Sequence, residues 1–425
     1  MKCPSSFARH FWASAAVALV LALASTLAQA VPSFARQTGQ PCAMCHVGGF
    51  GPQLTDFGIQ FKLGGYTLSK GGAWSPPLAG MVMAGLTHTR KSQDTNTLDG
   101  HSLTGSLKSN DNLTLDQASL FVSGRIADHV GIFSQLTYDG IAQHTSIDNV
   151  DLRAATTTTL VGQHTAMLGV SVNNNPGVQD PFNTLPAWLF PYISSIVAPG
   201  PSASAILDGA FARKATGVVG YAQLDGMWYG ELGTYRMQTP TLQKDLGIAA
   251  SDRDRGALRA PLYARFAARK SLESSSMEAG VVLFKTGYQP DRSAPEVAHI
   301  RDLGFDASYR WTSGAGDTVT VLGNVIRETQ AGANLTEHSV NASYFWNKSW
   351  GATLQRFGGN APGLGSRGTR AQLDWTPFGK TAPSGGIDAN MRLGLQLTAY
   401  DKLDGATGSA ASAADNLYLF AWLAF

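Results

Sequence analysis

The chain has 425 residues, only 15% of them charged, and a formal net charge of +2 at pH 7. The charged fraction is well below the roughly 25% of typical soluble domains. No basic run or clustered Lys/Arg stripe is present, so nucleic acid is excluded as a partner.

The amino terminus has the parts of an export signal. A short basic region precedes an apolar stretch over 11–30, which ends on the small-x-small cleavage motif Ala28-Gln29-Ala30. We therefore predict a signal peptide over 1–30, with an uncleaved membrane anchor as the alternative. The mature chain would begin near Val31 and would have to tolerate an oxidising compartment.

The mature chain retains two cysteines, both in the motif Cys42-Ala43-Met44-Cys45-His46. C-x-x-C-H is typical of c-type haem attachment. Two thiols at this spacing can reach the two vinyl groups of one porphyrin, and the adjacent imidazole then lies under the iron. We predict one haem c, with Cys42 and Cys45 forming the thioethers and His46 the axial bond.

Two other functions of such a motif lack their usual surroundings here. A redox-active disulfide would need a βαβ context that the sequence lacks. Half a zinc site would need a second Cys/His pair at finger spacing, and none follows.

The segment that carries the motif, residues 31–77, is too short for a complete cytochrome core. Its apolar side chains suited to covering a haem face are Phe50, Leu54, Phe57, Phe61 and Leu63. Leu54, Phe57 and Phe61 have helical spacing. The glycine and proline pairs that follow indicate a linker, so we expect the haem segment to borrow its walls from the rest of the chain.

A sixth ligand for the iron is missing from this segment, since no methionine or histidine lies between Val47 and Gly80. The next candidates are Met81 and Met83, followed by His88 and His101. A methionine–histidine pair would raise the reduction potential. The alternatives are that both methionines face lipid, and that the iron is five-coordinate or binds water.

From about Gly80 onward the side chains alternate with period two. In 301–311, Phe305 and Trp311 share an apolar face, whereas Asp306 and Arg310 lie on the other. About sixteen such segments follow one another, many close to the ~9–11 residues that cross an outer membrane. They lie near 79–90, 114–127, 129–139, 149–158, 164–173, 213–223, 226–237, 258–269, 275–286, 300–312, 315–327, 336–346, 349–357, 367–376, 389–400 and 415–425.

Further features favour a membrane barrel over a soluble sandwich. Long polar connections alternate with tight ones, as in bacterial barrels. The last strand ends on Phe425, and Trp346, Trp350 and Trp375 suit an aromatic girdle. We predict an all-β, transmembrane antiparallel barrel of about sixteen strands over 78–425 in the bacterial outer membrane, with the haem segment plugging its lumen.

Several further stretches receive structural interpretations. The long connection that contains 173–195 is expected to fold into the pore as a constriction, or to form a rest for the haem with Trp188, Phe190 and Tyr192. A glycine motif at 363–368 is interpreted as a loop. The side chains expected to line a wet lumen wall are Asp302, Asp306, Arg310, Arg370, Asp374 and Arg392.

The head of the mature chain resembles the fused cytochrome–porins of the outer membrane, the group that contains iron(II) oxidases of iron-oxidising bacteria. The residues that carry this resemblance are Phe34-Ala35-Arg36-Gln37-Thr38-Gly39, the haem motif, Pro52-x-Leu54, Phe57-Gly58, Phe61-Lys62 and Gly65-Tyr66. Barrel stretches 111–140 and 169–192 are similar to the same group. The chain departs from it at Ile59, where many members have an arginine.

The resemblance implies a monohaem c-type cytochrome joined to a sixteen-stranded porin. Such a protein would move electrons across the outer membrane, from extracellular Fe(II) to periplasmic cytochromes, and would act as an Fe(II) oxidase embedded in outer-membrane lipid. One alternative is a conduit for another extracellular donor or acceptor. The other is a passive porin with a structural haem plug.

Overall fold

The computed structural model describes residues 32–71, 76–93, 97–98, 101–102, 107–330, 332–380 and 389–425. The predicted signal peptide, 1–30, lies outside the described residues. Within these ranges, no helix is both long and apolar enough to cross a membrane.

One antiparallel sheet closes on itself, because its first strand pairs with both the second and the last. Seventeen strands belong to this sheet. One of them, Ala406–Thr407, is a two-residue arm within a loop, so sixteen strands form the wall. They are β1 Leu78–Thr89, β2 Asn112–Ala127, β3 Val130–Asp139, β4 His144–Thr159, β5 Thr165–Asn173, β6 Ala215–Leu224, β7 Trp228–Met237, β8 Ala257–Ser271, β9 Ser275–Gln289, β10 Ala298–Thr312, β11 Thr318–Gln330, β12 Leu335–Trp346, β13 Trp350–Asn360, β14 Ser366–Trp375, β15 Asn390–Leu403 and β16 Asn416–Ala424.

The two faces of the wall differ as the alternation in the sequence predicts. On β10, Phe305 and Trp311 are exposed on the outside, whereas Asp302 and Asp306 are buried on the inside. On this strand the outer face is therefore apolar and the inner face polar. In a closed barrel every strand also has a neighbour on each side, which is what backbone groups require in lipid. The predicted closed sixteen-stranded barrel is confirmed, and its architecture is that of bacterial outer-membrane proteins.

The two rims of the barrel differ in their connections. One rim carries tight turns, such as residues 128–129 and 225–227, together with both ends of the barrel sequence. The other rim carries most of the longer connections, of which 174–214 is the longest, whereas 376–389 is a long connection on the first rim. Short turns face the periplasm in bacterial barrels, which assigns the short-turn rim to the periplasmic side. Trp346, Trp350 and Trp375 lie exposed beside one another at this rim, consistent with a girdle.

The amino-terminal segment forms three short helices, α1 Pro32–Thr38, α2 Cys42–Cys45 and α3 Asp56–Leu63, and a 3₁₀ turn at Val47–Gly49. The side chain of Thr55 accepts a hydrogen bond from the Gly58 amide and so caps the start of α3. The chain turns sharply after α3 at Gly65, whose φ is +71°. A side chain there would lie 3.3 Å from Cβ of Ala155 in β4, so glycine lets the segment approach the wall without strain.

This segment is docked inside the short-turn end of the lumen. On one side, Tyr66 donates a hydrogen bond to Asp151 (2.7 Å) and Tyr221 donates one to the carbonyl of Leu63 (2.6 Å). On the opposite side, Arg392 donates to the Phe50 carbonyl at 3.1 Å. The segment therefore lies inside the lumen and is hydrogen-bonded to opposite sides of the wall.

Residues 174–214, here called the constriction loop, fold into the lumen above the segment. Gln355 donates to the carbonyl of Phe190 (2.6 Å), and Gln396 donates to that of Ile193 (2.9 Å). Near the loop's end, the amide of Leu207 donates to Asp302 at 2.8 Å. The loop folds inward as predicted, and together with the docked segment it occupies much of the lumen.

Candidate functional site

A cavity of about 350 Å³ lies where the docked segment, the wall and the constriction loop meet. All three residues of the haem motif line it: Cys42, Cys45 and His46. Its volume falls within the ~300–1,000 Å³ range of ligand and cofactor sites. The cavity therefore places the motif where a bound group would be enclosed by three separate parts of the chain.

The backbone around the motif presents its three side chains to the cavity. The amide of His46 donates to the Cys42 carbonyl at 2.7 Å, which closes the single turn of α2. The chain then folds back, so that His46 bridges to Leu54, and the amide of Thr55 donates to the Cys45 carbonyl (2.9 Å). A side chain at Gly58 would lie 2.3 Å from that carbonyl oxygen, so glycine permits this close approach of α3.

Two side chains of the motif, those of Cys45 and His46, are electrically neutral at pH 7. Burial raises the pKa of the Cys45 thiol to about 12, and Cys45 forms no disulfide. The thiolate is the reactive form of cysteine, so Cys45 alone is a poor nucleophile at neutral pH. Burial lowers the pKa of His46 to about 4, which leaves the imidazole unprotonated and able to bind a metal.

The imidazole of His46 has a buried Nδ1 that none of the described side chains contacts as an ion-pair or hydrogen-bond partner. The Gly51 backbone faces the ring and opposes the lowering of its pKa. A neutral histidine with no ion pair, beside two cysteines and a cavity, is the donor set that a c-type haem uses. The residues present therefore fit the predicted group.

Met81 and Met83 face inward from β1 and line the same cavity. Their residues are only 6% and 8% exposed, and they pack near Phe121 and Ile193. The alternative that these methionines face lipid is therefore wrong. The outward face of β1 is formed by residues such as Leu86, because the alternation begins with Leu78 on the outside.

The other candidates for a sixth ligand lie elsewhere. His88 is exposed at the long-loop end of β1, and its Nδ1 lies 2.6 Å from a carboxylate oxygen of Asp111. The side chain of His101 lies outside the part of the chain that is described. Met81 and Met83 are thus the candidates that the described structure brings to the motif.

Aromatic side chains form most of the remaining walls. Phe34 contacts Phe61 and Tyr66, with ring centroids 5.0 and 5.3 Å apart. Phe50 meets Trp422 of β16 at 4.8 Å. Three of the five residues expected to cover a haem face do line the cavity, Phe50, Leu54 and Phe61. Phe57 does not, and Leu63 is fully buried against the barrel wall.

The constriction loop closes the cavity from above. Trp188 and Tyr192 line it, as the hypothesis of a haem rest requires, whereas Phe190 is buried away from it. The peptide bond between Phe190 and Pro191 is cis. The loop therefore acts both as a constriction and as a wall of the cavity, so the two interpretations of this stretch are compatible.

Lys62 and Asn183 also line the cavity, and no sequence motif marks either of them as a site residue. The ammonium group of Lys62 donates to Asn183 Oδ1 at 2.8 Å and to the Val178 carbonyl at 2.9 Å. Burial lowers its pKa to about 7, and the nearby Arg153 adds to this shift. In the sequence, Lys62 stands out only because it follows Phe61. The residues of α3 do not separate into a polar and an apolar face, so the sequence pattern does not predict that Lys62 is buried.

Comparisons with known proteins identify barrels and nothing more specific. No family model matches the chain, and no curated protein does. Solved structures with similar folds include OprB of Pseudomonas putida, at 9% identity and a TM-score of 0.49, covering 82% of this chain and 94% of that one. OmpF of Salmonella typhi, in complex with daunomycin, is 10% identical with a TM-score of 0.46, over 82% and 97%. An anion-selective porin from Comamonas acidovorans is 11% identical with a TM-score of 0.41, over 82% and 98%.

Proposed function

We propose that the chain is a monohaem c-type cytochrome built into an outer-membrane barrel, and that it carries electrons across that membrane. The observation that carries the proposal is the cavity, where Cys42, Cys45 and His46 of the docked segment meet Met81 and Met83 of β1. A haem bound there would lie inside a barrel that crosses the outer membrane, which is the position needed to carry electrons across that membrane.

Each residue of the cavity would have its own role in holding the haem. Cys42 and Cys45 would hold the cofactor through thioether bonds, and His46 would supply one axial nitrogen. One of Met81 and Met83 would supply the second axial ligand from the wall. When bound, the haem supplies a one-electron carrier inside an otherwise insulating barrel, and the aromatic walls exclude water and so influence its potential.

Extracellular Fe(II) is the donor that the resemblance to cytochrome–porins favours, with periplasmic cytochromes as acceptors. The position of the cavity at the short-turn end supports an exit toward the periplasm. Another extracellular donor or acceptor would use the same cavity. The obstructed lumen counts against the passive porin, since the docked segment bonds to opposite walls and the constriction loop lies above it.

The test uses vesicles that contain the purified protein and a trapped, oxidised soluble cytochrome c. We expect added Fe(II) to reduce the trapped protein in vesicles carrying the intact chain, and not in those carrying Cys42→Ala or His46→Ala. A trapped sugar measures leakage in parallel. Leakage of the sugar without specific reduction would favour the porin, and reduction by other donors but not by Fe(II) would retain the conduit and replace the donor.

A further inference from the structure

Lys62 is a buried lysine whose amine lies at the edge of the cavity. Its residue is 5% exposed, and the ammonium stands 4.5 Å above the ring centroid of Trp188. The structure gives it two acceptors, the Val178 carbonyl and the Asn183 side chain. An ammonium has three donors, so among the described residues one N–H direction remains without an acceptor.

The charge of Lys62 also lacks a contacting counter-ion among the described residues. The charged groups that face it are Arg153 and Asp151 of β4, Asp180 of the constriction loop and Glu231 of β7. These three carboxylates already have partners of their own, in that Asp151 binds Arg153, Asp180 lies beside Arg265, and Glu231 accepts from Tyr263. Asp148 lines the cavity as well, but its interactions are with Thr137 and Arg213.

A buried charge without a partner costs free energy, and an anionic group placed beside it removes that cost. A c-type haem carries two carboxylates on an otherwise apolar ring. The lining of the cavity has matching properties, because it combines aromatic side chains with the ammonium group of Lys62.

We propose that Lys62 binds a carboxylate of the cofactor held in this cavity, and that its charge makes the reduction potential of that cofactor depend on pH. The inference rests on the proposed function. A positive charge near a redox group favours the reduced form, because reduction adds one negative charge. The potential should therefore be higher when Lys62 is protonated and should fall as Lys62 loses its proton.

The pKa of Lys62 sets the pH range in which the reduction potential should fall. Burial brings the pKa of Lys62 to about 7, and a neighbouring carboxylate would raise it again. The fall in potential is therefore expected in the neutral to mildly alkaline range, where an exposed lysine would show no change.

The experiment is a spectroelectrochemical titration of the full-length protein between pH 6 and pH 10. The variants are Lys62→Met, which removes the charge, and Lys62→Arg, which keeps it at every pH. We expect a potential that falls with pH in the parent, one that is flat and low in Lys62→Met, and one that is flat and high in Lys62→Arg. Lys70→Met, in the exposed part of the same segment, should behave like the parent.

If Lys62 had only a structural role, both variants would shift the reduction potential in the same direction, and both would keep the pH dependence seen in the parent. That result would overturn the proposal, as would a parent whose potential does not vary with pH. If Lys62→Met does not fold, the comparison of the parent with Lys62→Arg decides alone. Failure of the proposed function is distinct, because it appears as a parent protein without covalent haem, or as a trapped cytochrome that stays oxidised in the vesicle assay, and neither result depends on how the potential varies with pH.

Discussion

Leu63→Ala offers a direct test of how the amino-terminal segment is held in the lumen. Leu63 is fully buried, and it packs with Ile59 against Ala155, Tyr221 and other residues of the wall. Replacing a buried leucine by alanine costs about 3 kcal/mol within the usual range of 2–5. Alanine is a good helix former, so the loss falls on docking and not on α3 itself.

A loss of about 3 kcal/mol raises the undocked fraction of the segment by roughly a hundredfold, since each 1.4 kcal/mol is a factor of ten. The measurement is hydrogen exchange of the α3 amides in the full-length protein, with the strands of the barrel as internal reference. We expect α3 to lose protection by about this factor while the strands keep theirs.

The matched control is Leu68→Ala in the same segment, because Leu68 is 51% exposed and its loss should change little. Equal protection of α3 in the parent, in Leu63→Ala and in Leu68→Ala would refute the reasoning. The same conclusion would follow if the strands opened together with α3, because the segment would then have no docking equilibrium of its own.

Three further predictions concern ligation, the pore and pH. One of the variants Met81→Ala and Met83→Ala should remove the near-infrared band of methionine-bound ferric haem and lower the reduction potential, and the other variant should do neither. If neither variant has these effects, β1 supplies no ligand. The full chain should conduct ions poorly in planar bilayers. Deletion of residues 32–71 should raise the conductance several-fold, because a large barrel without a plug leaves an open channel. Equal conductance of the two proteins would contradict a lumen blocked by this segment. Desolvation raises the pKa of Asp208 to about 6, although the residue is exposed at the surface of the loop. Because the docked form holds the proton more tightly, the protection factors of the constriction loop, corrected for intrinsic amide exchange at each pH, should rise as pH falls from about 6 toward 4. Asp208→Asn should remove that dependence, and a loop that is better protected at higher pH would reverse the sign.

The barrel could be predicted from the sequence because most strands contrast strongly between their two faces. Asp306 beside Phe305 fixes which side chain faces lipid, and a slip by one residue would put the carboxylate there. The same contrast identifies the inward positions of Asp302 and Arg392. The number of strands can be counted from the sequence, because a turn or loop separates each alternating segment from the next.

The orientation of β1 could not be predicted in this way. Both of its faces are apolar near the start, with Met81 and Met83 on one and Val82 and Leu86 on the other. Alternation cannot distinguish the two faces when each would suit lipid. The methionines face inward because the lumen beside the haem motif is itself apolar, which depends on where the segment docks.

The cavity shows a similar division. The motif at Cys42, Cys45 and His46 is local, so the sequence alone identifies it. Lys62 and Trp422 become part of the site only through contacts between distant parts of the chain, and no periodic pattern in the sequence indicates such contacts. The constriction loop combines both kinds of information, since its aromatic side chains stand out in the sequence, whereas its docking depends on hydrogen bonds to Gln355 and Gln396 of distant strands.

The most direct test of the central claim is the amount of covalently bound haem in the protein purified from outer membranes. The measurement is the ferrous pyridine spectrum of the denatured chain, expressed per polypeptide. The account predicts one haem c per chain, retained in Met81→Ala and Met83→Ala and lost when Cys42 and Cys45 are both replaced by alanine. A folded, membrane-embedded barrel that carries no covalent haem would contradict it.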